Sequence, residues 1–170
     1  MIYCITSHTF QKGMKEQNKI WISVIGGARA NSKILVDAHK VGELLAKSGA
    51  IVVCGGLGGV MEAVSAGAKK AGGTVVGILP SDKRSDANRF VDIAIPTGLG
   101  IARNLLVVRA GDAVIAIDGE WGTLSEIALA KSSDKYVVGL HTKAIDGIVK
   151  ARSPEDAVKK ALTAARNLDK

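Results

Sequence analysis

Residues 113–126, AVIAIDGEWGTLSE, constrain the fold more than any other stretch of the chain. Residues 113–117 are apolar without alternation, which is typical of a parallel strand buried on both faces. Residues 119–122 then predict a tight turn, and Thr123 begins a pattern of apolar residues at helical spacing. A strand, a glycine turn and a helix N-terminus in succession present backbone N–H groups at the carboxyl edge of a sheet, which suits a phosphate or another anion.

The same alternation of apolar runs and helical patterns continues along the chain. Further strands are predicted over residues 20–25, 50–54, 74–79, 91–96 and 136–140, and an edge strand over residues 145–149. Helices are predicted after Asn31 or Ser32, over residues 60–71, from about residue 101, from Thr123, and from Pro154 to about residue 168. Strands that alternate with helices predict a Rossmann-like α/β fold, a doubly wound, mainly parallel sheet with helices on both faces.

The domain organisation predicted from this pattern is simple. Residues 19–170 are expected to form a single nucleotide- or phosphate-binding domain, since no linker or internal repeat interrupts the alternation. Residues 1–18 fit no period and are predicted to be an N-terminal extension, either disordered or adding an edge strand at residues 2–6. Met14 is a plausible alternative start.

Composition excludes several classes of function. The net charge of +7 comes from dispersed lysines with no basic run between aromatics, which argues against nucleic acid. Cys4 and Cys54 do not form a disulfide framework, and His8, His39 and His141 lack metal-ligand spacing, so we expect reduced thiols and no metal site. With no signal peptide and no apolar run of about 18 residues, a cytoplasmic protein is predicted.

Three glycine-rich turns follow three of the predicted strands, at Gly26-Gly27, residues 55–59 and residues 119–122. In a doubly wound sheet such turns lie at the carboxyl edge and converge where the strand order reverses. Glycine lets the main chain approach a phosphate closely, although it also simply makes tight turns. The second turn does not fit the dinucleotide fingerprint, and the chain has no phosphate loop that ends in Gly-Lys-Ser/Thr.

Several side chains near these turns allow two interpretations. Arg29 and Arg103 either bind an anion or are solvated surface residues. Thr123 and Glu126 have the spacing of a capping box, a structural role, but a carboxylate there could also act on a sugar hydroxyl or a water. Trp121 is either a lid or stacking surface, or a dimer or core contact.

The sequences GGLGGVMEA at residues 55–63 and GTLSE at residues 122–126 resemble the LOG superfamily, also described as lysine decarboxylase-like. LOG enzymes are phosphoribohydrolases that cleave the N-glycosidic bond of nucleoside 5′-monophosphates, and their pattern is Pro-Gly-Gly-x-Gly-Thr-x-x-Glu with an upstream Arg-Lys. The resemblance implies that, if the chain is a hydrolase, Arg103 and Glu126 are its catalytic residues. No lysine is positioned for pyridoxal phosphate, so a decarboxylase is not expected.

The chain also departs from the LOG pattern. Asp118 stands in place of Pro, Glu120 in place of the second Gly, and Asn104 in place of Lys. Residues 97–104 and 60–63 are more similar to the sister branch that includes the molybdenum-cofactor carrier protein, whose members are regarded as binders of a phosphorylated cofactor. Both branches form homo-oligomers, which implies a homodimer or homotetramer.

Two functions are therefore predicted, and whether the chain is catalytic stays open. The first is a binding protein for a nucleotide or a phosphorylated pterin-type cofactor such as molybdenum cofactor, and the alternative is a LOG-type phosphoribohydrolase acting on a nucleoside monophosphate. The turns and the resemblance together nominate the following ligand- or phosphate-binding residues: Gly26, Gly27, Arg29, Gly55, Gly56, Gly58, Gly59, Met61, Thr97, Gly98, Arg103, Asn104, Gly119, Gly122 and Thr123.

Overall fold

The computed structural model describes residues 19–167, which form one seven-stranded sheet. Its strands are β1 (Trp21–Gly26), β2 (Ile51–Cys54), β3 (Val75–Leu79), β4 (Ile93–Pro96), β5 (Ala113–Ile117), β6 (Tyr136–Leu140) and β7 (Val149–Ala151). The helices are α1 (Ser32–Lys47), α2 (Val60–Lys70), α3 (Asn104–Ala110), α4 (Trp121–Ser132) and α5 (Pro154–Asn167). Short 3-10 turns lie at Arg84–Asp86 and Gly100–Arg103.

Every strand pair in this sheet is parallel, in the order β4-β3-β2-β1-β5-β6-β7. The predicted Rossmann-like α/β class is confirmed. Because all strands run the same way, the turns after them lie at one edge of the sheet. Strands β2, β3 and β4 are added in turn on one side of β1, and the chain then crosses to the other side of β1 to form β5. The strand order therefore reverses between β1 and β5, which is the place where ligands bind in open α/β sheets.

The core has two layers because residues on these buried strands alternate between the two faces. Ile22 and Val24 of β1 point to the layer that contains α1, α2 and α5, whereas Ile25 points to the layer with α3 and α4. Ser23 also faces α3, where its hydroxyl donates a 2.6 Å hydrogen bond to the carbonyl of Val107. Both faces of β1 are therefore buried and covered by helices, as is typical of a parallel strand in such a sheet.

Several boundaries differ from those predicted. Helix α4 begins at Trp121, so residues 121 and 122 belong to the helix and the turn is shorter than predicted. Residues 100–103 form a 3-10 turn before α3, and β7 lies at Val149–Ala151, displaced from the predicted residues 145–149. The suggested strand at residues 2–6 lies outside the described residues, and the single-domain boundary at 19–170 stays a prediction. Within residues 19–167 no helix combines the length and apolar character needed to span a membrane.

Candidate functional site

A cleft of about 210 Å³ opens between the turn after β1 and the beginning of α4. One wall is formed by residues 26–29, and the other by Glu120, Gly122, Thr123 and Glu126. Since β1 and β5 are the strands between which the order reverses, the cleft lies at the switch point of the sheet. The first and third glycine turns, more than 90 residues apart in sequence, are thus brought face to face.

The second glycine turn, residues 55–59, supports the first. Gly59 has φ +66° and lies so close to the β1 turn that a Cβ on it would be 2.4 Å from the carbonyl oxygens of Gly27 and Ala28. The N–H of Val60 donates a 3.0 Å hydrogen bond to the carbonyl of Gly27. Only glycine permits this approach, so the second turn fixes the position of the cleft wall.

Backbone donors line both walls of the cleft. The amides of residues 28 and 29 and those of residues 121–123, the first three of α4, donate no hydrogen bond to any other residue within 19–167. The N-cap residue Glu120 leaves them so, because its side chain makes no capping hydrogen bond. A helix N-terminus with free amides and a positive dipole end favours an anion, and Arg29 adds a charged side chain to the facing wall.

A buried ion pair forms the inner end of the site. Arg103 and Glu126 are only 6% and 8% exposed, and Arg103 Nη1 lies 3.7 Å from Glu126 Oε1. The guanidinium also donates from Nη1 to Asn104 Oδ1 and from Nη2, over 3.4 Å, to the carbonyl of Gly55. A Cβ on Gly55 would lie 2.5 Å from Nη2, so this glycine makes room for the arginine.

Neither member of this pair is fully satisfied by the protein. Arg103 Nε is buried without a hydrogen-bond partner among the described residues. The 3.7 Å separation from Arg103 is longer than a hydrogen bond, and Glu126 makes no other polar contact within residues 19–167. Because Glu126 also lines the cleft, a ligand there can supply the missing partner.

Burial shifts the ionisation of both groups. It raises the pKa of Glu126 to about 7, with the charge of Arg103 opposing the shift, and it lowers the pKa of Arg103. Near neutral pH the Glu126 carboxyl is therefore present in both forms, one that donates a hydrogen bond and one that accepts. A perturbed carboxyl in a cleft is a common mark of a functional site.

The structure overturns two of the structural interpretations considered for these side chains. The capping box is wrong: α4 begins at Trp121 with Glu120 as its N-cap, so Thr123 lies inside the helix and Glu126 faces the buried side. Arg103 is not a solvated surface residue. Arg29 does lie exposed at the rim, and Trp121, at 85% exposure, is not a core contact.

The remaining candidate residues do not line the cleft. Thr97 and Gly98 follow β4, where the Thr97 hydroxyl donates to the carbonyl of Leu79 and the Gly98 amide donates to that of Ser81. Met61 is buried, with its sulfur beneath Gly55. Gly56 and Gly119 pack against Leu79 and Thr123, respectively, and a Cβ on Gly58 would make only ordinary contacts, 3.9 Å from Glu62 Oε2 and 4.0 Å from the carbonyl oxygen of Ala28. Their predicted contacts with a ligand stay predictions.

Three residues that shape the site were absent from the predicted set. Ala28 and Glu120 line the cleft. Asn88 holds the second glycine turn, since its amide side chain donates to the carbonyl of Leu57 and its backbone N–H donates to that of Gly56. Glu120 carried a signal, its replacement of a glycine of the LOG pattern. Asn88 carried none, because it lies in a polar segment typical of a surface loop.

Metal ligands are not gathered in the part of the chain that the structure covers. Residues 19–167 contain no group of three or more His, Cys, Asp or Glu side chains placed to hold a metal ion. The cleft is lined by backbone segments, by the carboxyl groups of Glu120 and Glu126, and by Arg29.

Comparisons with known proteins agree with this architecture. The model of the SLOG cluster4 family matches residues 19–168. An uncharacterised protein of Archaeoglobus fulgidus is 45% identical over 138 residues, 81% of this chain and 91% of that protein. The molybdenum cofactor binding protein of Rippkaea orientalis is 36% identical, with a TM-score of 0.81 over 91% of this chain and 99% of that one. The molybdenum cofactor carrier protein of Chlamydomonas reinhardtii is 33% identical, with a TM-score of 0.80 over 89% and 100%.

Proposed function

The chain belongs to the SLOG cluster4 family, and from that premise we propose that it is a carrier-like binding protein for a phosphorylated pterin-type cofactor such as molybdenum cofactor. The observation that carries this proposal is the pair of facing walls with free amides, residues 28–29 and 121–123, at the switch point of the sheet. The similar proteins of Rippkaea orientalis and Chlamydomonas reinhardtii, described as molybdenum cofactor proteins, support it.

The size and chemistry of the cleft fit the phosphate end of such a ligand. Its volume of about 210 Å³ is below the range of roughly 300–1,000 Å³ that is typical of pockets enclosing a whole small molecule. The phosphate would accept hydrogen bonds from the amides and from Arg29, and the heterocycle would extend across the rim. Molybdenum cofactor supplies redox chemistry to the enzymes that use it, whereas the groups of this chain bind and shield it.

Gly122 offers a direct test of the binding proposal. It lines the cleft, and a side chain added there would meet nothing within 4 Å. A Gly122→Asp substitution places a carboxylate in the first turn of α4, a position that suits helix stability but competes with a bound anion for the free amides. Gly122→Ala is the matched control, since it adds a side chain without charge.

We expect equilibrium dialysis against molybdenum cofactor to show binding to the wild type and to Gly122→Ala. Binding to Gly122→Asp should be weaker by tenfold or more, on the order of the energy of one charge-assisted hydrogen bond. Retained pterin is measured by its fluorescence after the protein is denatured. Equal binding by all three proteins would place the ligand elsewhere, and no binding by the wild type would reject the cofactor.

The second candidate function is phosphoribohydrolysis, and the observation that favours it is Glu126. A carboxyl of pKa about 7, lining the cleft next to Arg103, suits general acid–base chemistry at neutral pH. Incubation with a panel of nucleoside 5′-monophosphates tests it. Release of free base that is lost in Glu126→Gln would establish the hydrolase, and no release from any of them would leave the binding protein.

We further propose that the chain forms a homodimer through the sheet face that carries α3 and α4. Ile93 and Ile95 of β4 are paired in the sheet with Val76 and Ile78 of β3, which pack in the core layer on that face. The side chains of Ile93 and Ile95 are nevertheless 51% and 43% exposed. Ile101, just before α3, is 77% exposed. Apolar side chains on one face that α3 and α4 leave uncovered fit a second copy of the chain.

A charge on this face tests the dimer. Ile101→Glu should shift the mass measured by light scattering from dimer to monomer. Val36→Glu, a substitution of a 67% exposed residue on α1 at the opposite face, should leave the mass unchanged. A monomeric wild type would refute the proposal, as would a dimer that tolerates Ile101→Glu.

A further inference from the structure

An exposed carboxylate that lines the cleft is followed directly in the chain by an exposed aromatic residue. Glu120 lines the cleft and is the N-cap residue of α4, and Trp121 follows it as the first residue of the helix. Trp121 is 85% exposed, more than any other large hydrophobic side chain within residues 19–167. An indole left this open to water next to a ligand cleft is available as a stacking surface.

The negative charge of Glu120 disfavours a ligand that binds here only as an anion. Glu120 directly precedes the three residues of α4 that have free amides and lines the same cleft, so its negative charge opposes an anion on them. Within residues 19–167 it makes neither a capping hydrogen bond nor an ion pair. A carboxylate placed here is useful to binding when it contacts the ligand itself, through N–H groups that the ligand donates.

The small size of the cleft determines which part of the ligand can carry the N–H donors that Glu120 would accept. In the proposed binding mode the phosphate contacts the amide-lined walls, and the small volume leaves the rest of the ligand outside the cleft, near Glu120, which lines it, and Trp121, the next residue along the chain. A carboxylate accepts two parallel hydrogen bonds from adjacent N–H groups. Guanine and pterins present such a pair, a ring N–H beside an exocyclic amino group, whereas adenine does not.

We propose that Glu120 and Trp121 together select the heterocycle, Glu120 by accepting the paired N–H groups of a guanine- or pterin-type ring and Trp121 by stacking on that ring. This inference rests on the proposed function, because it requires that the phosphate of the ligand occupies the cleft. It also assigns a purpose to the glutamate that replaces a glycine of the LOG pattern.

The test uses GMP, IMP and AMP, which share the ribose phosphate and differ in the donor edge. GMP has the complete pair, IMP has the ring N–H without the amino group, and AMP has neither in that arrangement. By isothermal titration calorimetry we expect GMP to bind about tenfold more tightly than AMP, with IMP between them. Glu120→Gln should reduce the ratio to about twofold or less. Glu155→Gln, an exposed glutamate in the first turn of α5, is the matched control and should keep it.

Trp121→Ala tests the stacking part. It should weaken all three nucleotides by a similar factor, about tenfold, because a stacked ring does not distinguish between purines. Binding of GMP should also change the tryptophan fluorescence of the wild type. Unchanged affinities in Trp121→Ala would overturn the stacking role.

The remaining outcomes separate this inference from the proposed function. Equal affinities for GMP and AMP, or a preference that survives Glu120→Gln, would overturn the inference while binding itself is retained. A Glu120→Gln variant that loses stability with unchanged affinity ratios would assign the glutamate to the helix dipole alone. No binding of any of the three nucleotides would overturn this inference, and no binding of molybdenum cofactor either would overturn the proposed function as well.

Discussion

Replacing Glu126 with glutamine should change how the stability of the protein depends on pH. Burial raises the pKa of this carboxyl from 4.5 to about 7 in the folded protein, while in the unfolded chain it is exposed to water and has its ordinary value. Between those two pH values the folded state binds more protons than the unfolded state. The free energy of unfolding therefore falls as pH rises from about 4.5 through 7.

The magnitude follows from the size of the shift. A rise of this extent corresponds to about 3 kcal/mol, because one pKa unit is worth about 1.4 kcal/mol. The stabilisation is present below about pH 4.5 and is lost above 7. In Glu126→Gln this group no longer titrates, so the free energy of unfolding of the wild type minus that of the variant should fall by about 3 kcal/mol across this range.

Urea denaturation of both proteins at pH 4.5, 6, 7 and 8 measures this difference in the free energy of unfolding. The other titratable groups are the same in both proteins, so their contributions cancel when one value is subtracted from the other. Glu155→Gln, an exposed glutamate, is the control, and its difference from the wild type should not vary with pH in this way. If Glu126 were instead held ionised by Arg103, its pKa would be low. The wild-type advantage would then grow with pH, and this outcome would refute our account of the site.

Three further substitutions, with Gly72→Ala as the control for the first, test the turns around the cleft. Gly59→Ala should lower the free energy of unfolding in urea by at least about 2 kcal/mol, because φ is positive and the added Cβ would lie 2.4 Å from two carbonyl oxygens. Gly72→Ala, where φ is positive but the surroundings are open, should lower it by about 1 kcal/mol. Asp118→Pro, which restores the LOG residue, should cost about 3 kcal/mol or more in thermal denaturation, since φ is +51° and the N–H donates to the carbonyl of Leu140; an unchanged midpoint would contradict this. Asn88→Ala should cost about 1 kcal/mol and speed amide hydrogen exchange in residues 55–59, because the bond to Leu57 is lost; unchanged exchange there would refute the proposed support.

The fold was predictable because its signals are local. The apolar run of β5 has no polar face, and such a strand must be covered by helices on both sides. Turn residues after β1, β2 and β5 then identify the functional edge. The last strand was misplaced for the opposite reason: β7 has three residues, and only its pairing with β6 decides which residues form it.

The site was less predictable because its decisive contacts are not local. The spacing of Thr123 and Glu126 is genuine, but the helix begins two residues before Thr123, so the capping-box interpretation fails. Nothing in the local sequence reveals that Arg103, 23 residues upstream, reaches Glu126. The roles of the glycines are equally hidden in the sequence. The missing side chain of Gly55 leaves space for Arg103, and that of Gly59 leaves space for the turn after β1. Sequence alone does not distinguish room for a ligand from room for another segment.

The most direct test of the central claim is a nitrogen–proton NMR titration of the isotope-labelled protein with GMP. We predict that the largest chemical-shift changes occur at the amides of residues 28–29 and 121–123, which have no partner within the described chain. Changes confined to other parts of the protein, such as the groove lined by Lys131, Lys135 and Tyr136 at the opposite edge of the sheet, would contradict the claim that the cleft between β1 and α4 is the binding site.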